Sequence, residues 1–241
     1  MTQTTDSPVI TGHGEIPGGR YRSVTITGQG RVSGDVAAES VVVQGSATIA
    51  GSVTTGTLEV SGELHIAGHV QAERANLDGF AHVQGDLRSQ QVVLTGAHTV
   101  SGDVLATDIE AHGQLTVNGA VEADRVVLEI AGDCRLGSVR AHAVQVRPAP
   151  TQGQTQITLR RGRAVTRIRT SGELPGGEER KLTAGTITGE DVHLELTSAQ
   201  RVTAARVTIG PGCTIATVEY GESLQVDPGA TVARSSKTQT E

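Results

Sequence analysis

Glycine returns every seventeen residues along the first half of this chain, at positions 34, 51, 68, 85, 102 and 119, and a second series keeps the same beat at 28, 45, 62, 79, 96 and 113. A period held to one residue over six repeats is the mark of a solenoid. Each unit is too small to bury an apolar face alone and stacks on its neighbours to make one. Counting from each glycine of the first series, the third position reads Val36, Val53, Val70, Leu87, Val104 and Val121. The eighth reads Val41, Leu58, Ala75, Val92, Ile109 and Val126, and the tenth Val43, Val60, Leu77, Leu94, Ala111 and Leu128. The sixteenth reads Ile49, Ile66, Val83, Val100 and Val117, and the fifth holds small residues from Ala38 to Ala123. Intervening columns are mostly polar. Short apolar/polar alternation broken by glycine predicts short strands joined by tight bends, and nothing in the pattern turns helical.

Seventeen residues suit one coil of three short strands. Coils stacked in parallel at about 4.8 Å would make the six regular repeats a rod segment roughly 30 Å long. About five inward side chains per coil, each contributing about 1.5 to 3 kcal/mol on burial, supply the core. That matters because the chain has no Trp, one Phe and two Tyr, so no aromatic cluster can seed the interior. Two cysteines, Cys134 and Cys213, make no disulfide framework and read as small core or turn residues.

The order is interrupted twice. An insertion near "LEIAGDCRLGSV" delays the next glycine to 137, and "RPAPTQGQ" ends the regular body after Val146. The seventeen-residue beat resumes at "VTIGPG" (207–212) and "LQVDPG" (224–229), with Ile215 answered by Val232. The expected organisation is a flexible tail over 1–16, regular coils over 17–147, a basic insert or hairpin over 148–185, further coils over 186–233 and a second flexible tail over 234–241. Net charge follows these boundaries: residues 1–150 total −7, 151–185 total +4 and 186–241 total −3.

"PGGRYRSVTITGQGRVSGDV", followed by coils of the form G-D-V-x-A…V-x-V-x-G, resembles the bactofilins, bacterial cytoskeletal proteins that polymerise without nucleotide. "GEDVHLELTSAQRVTAARVTIGPGCTIATVEY" is similar to the extended C-terminal region of the longer Gram-positive members. The resemblance spans most of residues 17–233. It implies an all-β, right-handed parallel β-helix, end-to-end self-association into filaments through the terminal coils, the peripheral membrane association frequent in the family, and roles in cell shape, envelope work or motility; a scaffold of this kind is further expected to localise partner proteins. Members of the family often carry a Phe near an end of the core. The single Phe here, Phe80, falls mid-body in an outward column, so that contact does not transfer to a residue.

Several side chains need weighing as sites. His65 and His82 stand one period apart and should stack on an outward face, with His98 near that line. Two imidazoles fall short of the three or four ligands a zinc site takes, so no metal is expected. Asp35, Asp86 and Asp103 sit beside turn glycines, where a short carboxylate satisfies turn amides; they do not converge as general acid/base chemistry requires. The glycine turns lack the strand, fingerprint and helix of a phosphate loop, so no nucleotide or other cofactor is expected. Arg160, Arg161, Arg163, Arg167 and Arg169 place five positive charges in ten residues. An anionic lipid, an acidic protein surface or a charge-protected strand edge each answers them. Nucleic acid is not expected, because no aromatics are interleaved. Phe80 is either an isolated exposed apolar residue or a lateral contact between filaments.

Enzymatic readings fit poorly. Hexapeptide acyltransferases want a branched residue every sixth position, whereas inward spacings here run 4, 5, 2, 6 from Ile49 to Ile66. β-Helical lyases mount their chemistry on long loops, and six uninterrupted coils leave none. "MTQTTDSPVI" has no basic, aromatic or apolar leader character, and no apolar run approaches the roughly 20 residues that span a bilayer. The reading is a cytoplasmic, self-associating scaffold; the runner-up is an adaptor that docks a protein or anionic membrane through its basic insert.

Overall fold

The computed structural model describes residues 7–149, 157–161, 164–168 and 180–238, with the backbone alone for the two short middle segments. Its strands are β1 (Val9–Ile16), β2 (Gly19–Arg20), β3 (Ser23–Val32), β4 (Val36–Ile49), β5 (Val53–Ile66), β6 (Val70–Val83), β7 (Leu87–Val100), β8 (Val104–Ile130) and β9 (Cys134–Pro148). After these come β10 (Ile157–Arg161), β11 (Ala164–Ile168), β12 (Leu182–Leu194), β13 (Thr197–Ile209), β14 (Thr214–Val226) and β15 (Thr231–Lys237). Thirteen of them form one continuous parallel sheet from β1 to β15, and β10 pairs with β11 in a separate antiparallel hairpin. No helix occurs among the described residues, and so none is long and apolar enough to cross a membrane. The all-β parallel solenoid expected from the glycine period is the fold.

Register follows the period residue by residue. Val36 faces Val53, which faces Val70, then Leu87 and Val104; Gly45 faces Gly62, then Gly79 and Gly96. The expected three separate strands per coil are instead one strand of 14 residues in β4 through β7. Corners do not break it, because identical bends lie over one another and the ladder hydrogen bonds continue through them. One corner is the glycine series from Gly28 to Gly113, where φ lies between 114° and 132°. A Cβ at Gly62 would overlap the Gly45 carbonyl oxygen, so each glycine of this ladder is needed by the coil beneath it.

The third, eighth, tenth and sixteenth columns are buried, as the alternation predicted. A further inward column was missed: Ala47, Leu64, Ala81, His98 and Leu115 stand in register and are all buried. Its mixture of Ala, Leu and His hides the alternation that branched residues reveal elsewhere. The same column continues through Cys134, Leu182 and Thr197 to Cys213, so both thiols are core residues. Three strand spacings, about 14 Å, separate them. Burial pushes both thiols above their ordinary pKa, which keeps them protonated and unreactive.

Elements appear where the period is irregular. Residues 9–16, expected in a flexible tail, form β1: Val9 faces Thr25 and Ile16 faces Val32, sixteen residues apart, one short of the beat. Beyond the insert, β12 begins at Leu182 and lies directly on β9, with Leu182 opposite Cys134 and Leu194 opposite Val146. The solenoid therefore resumes as though residues 149–181 were absent. The next coil is only fifteen residues, Leu182 to Thr197. One residue of register shifts between Val117 and Ala120 of β8 against β9, and another between Ala204 and Arg206. At the far end the anticipated match of Ile215 with Val232 holds, and β15 runs through Lys237.

Candidate self-assembly surfaces

The turn flank carries a side-chain ladder. The Ser52 amide donates to Asp35 Oδ1 (2.7 Å), the His69 amide to Ser52 Oγ (3.1 Å) and the Asp86 amide to His69 Nδ1 (2.9 Å). The Asp103 amide donates to Asp86 Oδ1 (3.1 Å), and the Ala120 amide to Asp103 Oδ1 (2.8 Å). The aspartates thus satisfy amides, as expected, and the amide is that of the next coil. Each short acceptor clips one coil to the following one, and carboxylates spent this way are not a catalytic pair.

Ion pairs stitch the outer faces in the same direction. Arg125 Nε lies 3.0 Å from Asp108 Oδ1 and Arg140 Nη1 lies 3.0 Å from Glu122 Oε1. Glu129 accepts from His112 Nδ1 at 2.7 Å and also from Arg147. Burial favours protonation of Glu129, but those two donors outweigh it and hold the carboxyl below its usual range. Arg206 binds Asp191 through two nitrogens and reaches Glu222 at 2.9 Å and Glu190 at 3.3 Å. These pairs join neighbouring coils on open faces. Among the described residues no group of three or more His, Cys, Asp or Glu is arranged to hold a metal ion.

His65 and His82 stack as expected, with ring centroids 4.7 Å apart and planes 16° from parallel. His98 does not extend that stack. It is 4% exposed and points into the core, in register with Ala81 and Leu115. Its Nε2 lies 3.1 Å from the Thr95 carbonyl, while Nδ1 has no partner. Burial lowers its proton affinity, so it sits in the core as a neutral imidazole.

Phe80 is 65% exposed, opposite Glu63 and Ala97 on neighbouring coils, and borders a shallow groove of about 450 Å³ with His65, His82 and Gln114. Of the basic cluster, Arg163 and Arg169 lie outside the described residues. Arg160 and Arg161 stand on β10 opposite Val165 and Ala164, and Arg167 stands on β11 opposite Thr158. Among the described residues that hairpin pairs with no strand of the solenoid.

The two ends of the solenoid carry the remaining unsatisfied structure, and they differ. At the first coil β1 has no strand partner other than β3 among the described residues, yet Ile10 is 6% and Val24 1% exposed. Gly19 occupies the column of Val36, and Tyr21 packs against the core and donates its hydroxyl to the Pro17 carbonyl at 2.7 Å. At the last coil Val226 is 43% exposed, although Ile209 directly beneath it is 1% exposed. Open core columns and unpaired strand edges are what a solenoid must cap or join.

Residues 8–96 match the family model Bactofilin, described as polymer-forming cytoskeletal. Two uncharacterized proteins of Bacillus subtilis (strain 168), YhbF and YhbE, are similar to this chain. YhbF is 42% identical over 57 residues, 24% of this chain and 24% of its own length, and YhbE is 45% identical over 56 residues, 23% and 24% respectively. The chain thus covers about a quarter of the length of these curated relatives. No solved structure matches it. Seventeen-residue coils, a glycine corner ladder, a core without aromatics and this match agree: over residues 8–96 the chain is similar to the bactofilin, polymer-forming cytoskeletal, family.

Proposed function

We propose that this protein is a structural scaffold that assembles end to end, without nucleotide, into filaments or short oligomers and localises partner proteins on them. One observation carries the reading: both ends of a continuous parallel solenoid present strand edges with no partner among the described residues, in a chain whose first coils are similar to a polymer-forming family. Pairing those edges with another copy supplies the missing ladder hydrogen bonds and covers the terminal apolar columns. Negative-stain electron microscopy of purified, nucleotide-free protein over a range of concentration and salt tests it. Narrow filaments or rods longer than one solenoid are expected, and a monodisperse monomer at high micromolar concentration defeats the proposal.

Phe80 is the natural lateral contact between such filaments, being a large aromatic exposed on the flank rather than at an end. Phe80→Ala is expected to leave single filaments intact and reduce the fraction bundled. An unchanged ratio of bundles to single filaments would remove Phe80 from that role.

The hairpin supports a second reading, in which the module docks an anionic membrane or an acidic protein. Arg160, Arg161 and Arg167 sit on strands that the solenoid does not use. Replacing these three arginines with Glu is expected to abolish co-sedimentation with vesicles containing phosphatidylserine. Undiminished co-sedimentation would sink the reading.

A further inference from the structure

The turn that closes the last regular coil differs chemically from the turns beneath it. Along the seventeen-residue series the residue before each turn glycine is Ser33, Ala50, Ala67, Gln84, Ser101 and Asn118. In Asn118 the side-chain carbonyl carbon can close a five-membered ring with the next backbone nitrogen, that of Gly119. Gln84, which precedes Gly85, has one methylene more and closes only a slower, six-membered ring. Glycine in the following position leaves the nitrogen free of any side chain that would obstruct the approach.

The fold leaves this pair uncovered. Val117 faces Leu136 and Ala120 faces Ser138, so Asn118 and Gly119 of β8 stand against Gly137 alone in β9. Two residues against one make a bulge, where the ladder is interrupted. Gly137 has no side chain to lay over Asn118, which is exposed. The Gly119 amide donates to the Gly102 carbonyl at 3.2 Å, as long as any of the glycine-to-glycine bonds in the turns below. Asn118 also lines a recess of about 700 Å³ together with Gly137, Thr183 and Ser198, and Arg135 is the charged residue of that lining. A carboxylate formed at position 118 therefore shares its recess with a cation.

We infer that Asn118 is a self-modification site, which converts from a neutral amide to a carboxylate without an enzyme. The Gly119 nitrogen gives up its proton to solvent and attacks Asn118 Cγ. A C–N bond forms, and the side-chain nitrogen takes up a proton and leaves as ammonia. Water then opens the cyclic imide at either of its two carbonyls. One opening gives aspartate at 118. The other gives isoaspartate, with the main chain routed through the former side chain and lengthened by one methylene. The bulge suits that longer product, because β8 already carries a surplus residue here and regains its register against β9 at Ala120. Neither the site nor its chemistry depends on the self-assembly proposed above.

Full-length protein held at mildly alkaline pH, in buffer and in guanidinium chloride, then digested and analysed by mass spectrometry, tests this. In buffer the peptide holding Asn118 is expected to gain the mass difference between an amide and an acid, and part of it to accept a methyl group from an isoaspartyl methyltransferase. Peptides holding Asn76, which precedes Leu77, and Gln84 should stay unchanged over the same time. Asn118→Gln copies the Gln84–Gly85 pair and is expected to abolish the gain. An unchanged Asn118 peptide in buffer overturns the inference, and conversion in denaturant alone identifies the bond to Gly102 as the protection. Conversion of Asn76 or Gln84 to the same extent in buffer overturns it too, since the turn would then select nothing.

Discussion

A Gly62→Val variant is expected to lose at least about 4 kcal/mol of stability, a large share of the roughly 5 to 15 kcal/mol that holds a typical domain folded. Gly62 has φ of 132°, a region that costs a branched residue about 1 to 3 kcal/mol in backbone strain. The clash adds to this, since the new Cβ would overlap the carbonyl oxygen of Gly45 in the preceding coil. That oxygen cannot retreat, because Gly45 itself lies in the same close contact over Gly28. Relief would require lifting one coil off the next and breaking ladder hydrogen bonds between β4 and β5. Gly221→Ala is the matched control: its Cβ would make ordinary contact, 3.6 Å from Ala205 Cα, and the change is expected to move stability by less than about 1 kcal/mol. Urea denaturation followed by circular dichroism compares them. Equal midpoints for the two variants would mean the glycine corner is not what fixes coil geometry.

His98→Leu is expected to stabilise the protein by about 1 to 3 kcal/mol at neutral pH, the usual cost of a buried polar atom without a partner. His98 Nδ1 is that atom, and leucine already fills the column at Leu64 and Leu115. The gain should grow in acid. Burial holds the proton affinity of His98 below its ordinary value, against smaller opposing effects from the Thr95 carbonyl and the Asp78 charge. The unfolded chain therefore takes up a proton below about pH 6.5 while the native chain still resists, so wild-type stability falls as pH drops through that window. With leucine this contribution disappears. Denaturation midpoints at pH 7.5 and 5 measure it: the gap between variant and wild type should widen at the lower pH, and a constant gap would show that His98 does not titrate differently on folding.

The two substitutions also mark how far the sequence could be read. Gly62 was legible because the corner glycines recur at a fixed interval, and local sterics force the same residue at the same place in every coil. Val53, Leu58, Val60 and Ile66 were legible for a related reason: β-branched and leucine side chains alternating with polar ones declare which way they face. His98 was not, since its column mixes Ala, Leu and His, and a polar residue beside an outward histidine pair reads as outward until its neighbours are in place. Phe80 was placed on the flank, and the structure leaves it there. The role of the arginine cluster rests on contacts between elements, about which a charge run says nothing.

By itself, then, the sequence determined the solenoid, its period, its parallel register through the regular coils and the columns that fill its core, because each of these is set within one repeat and its immediate neighbours. Only the tertiary structure decided that β1 is a first coil despite its sixteen-residue spacing, that β12 seats on β9 across the insert, that Cys134, Cys213 and His98 share one buried column, and that Val226 of the last coil lies open over a buried Ile209. Those features depend on which distant segments lie against one another, and a coil that is one residue short or resumes after a long insert keeps its place through hydrogen bonds and packing to the adjacent coil, not through any interval written along the chain.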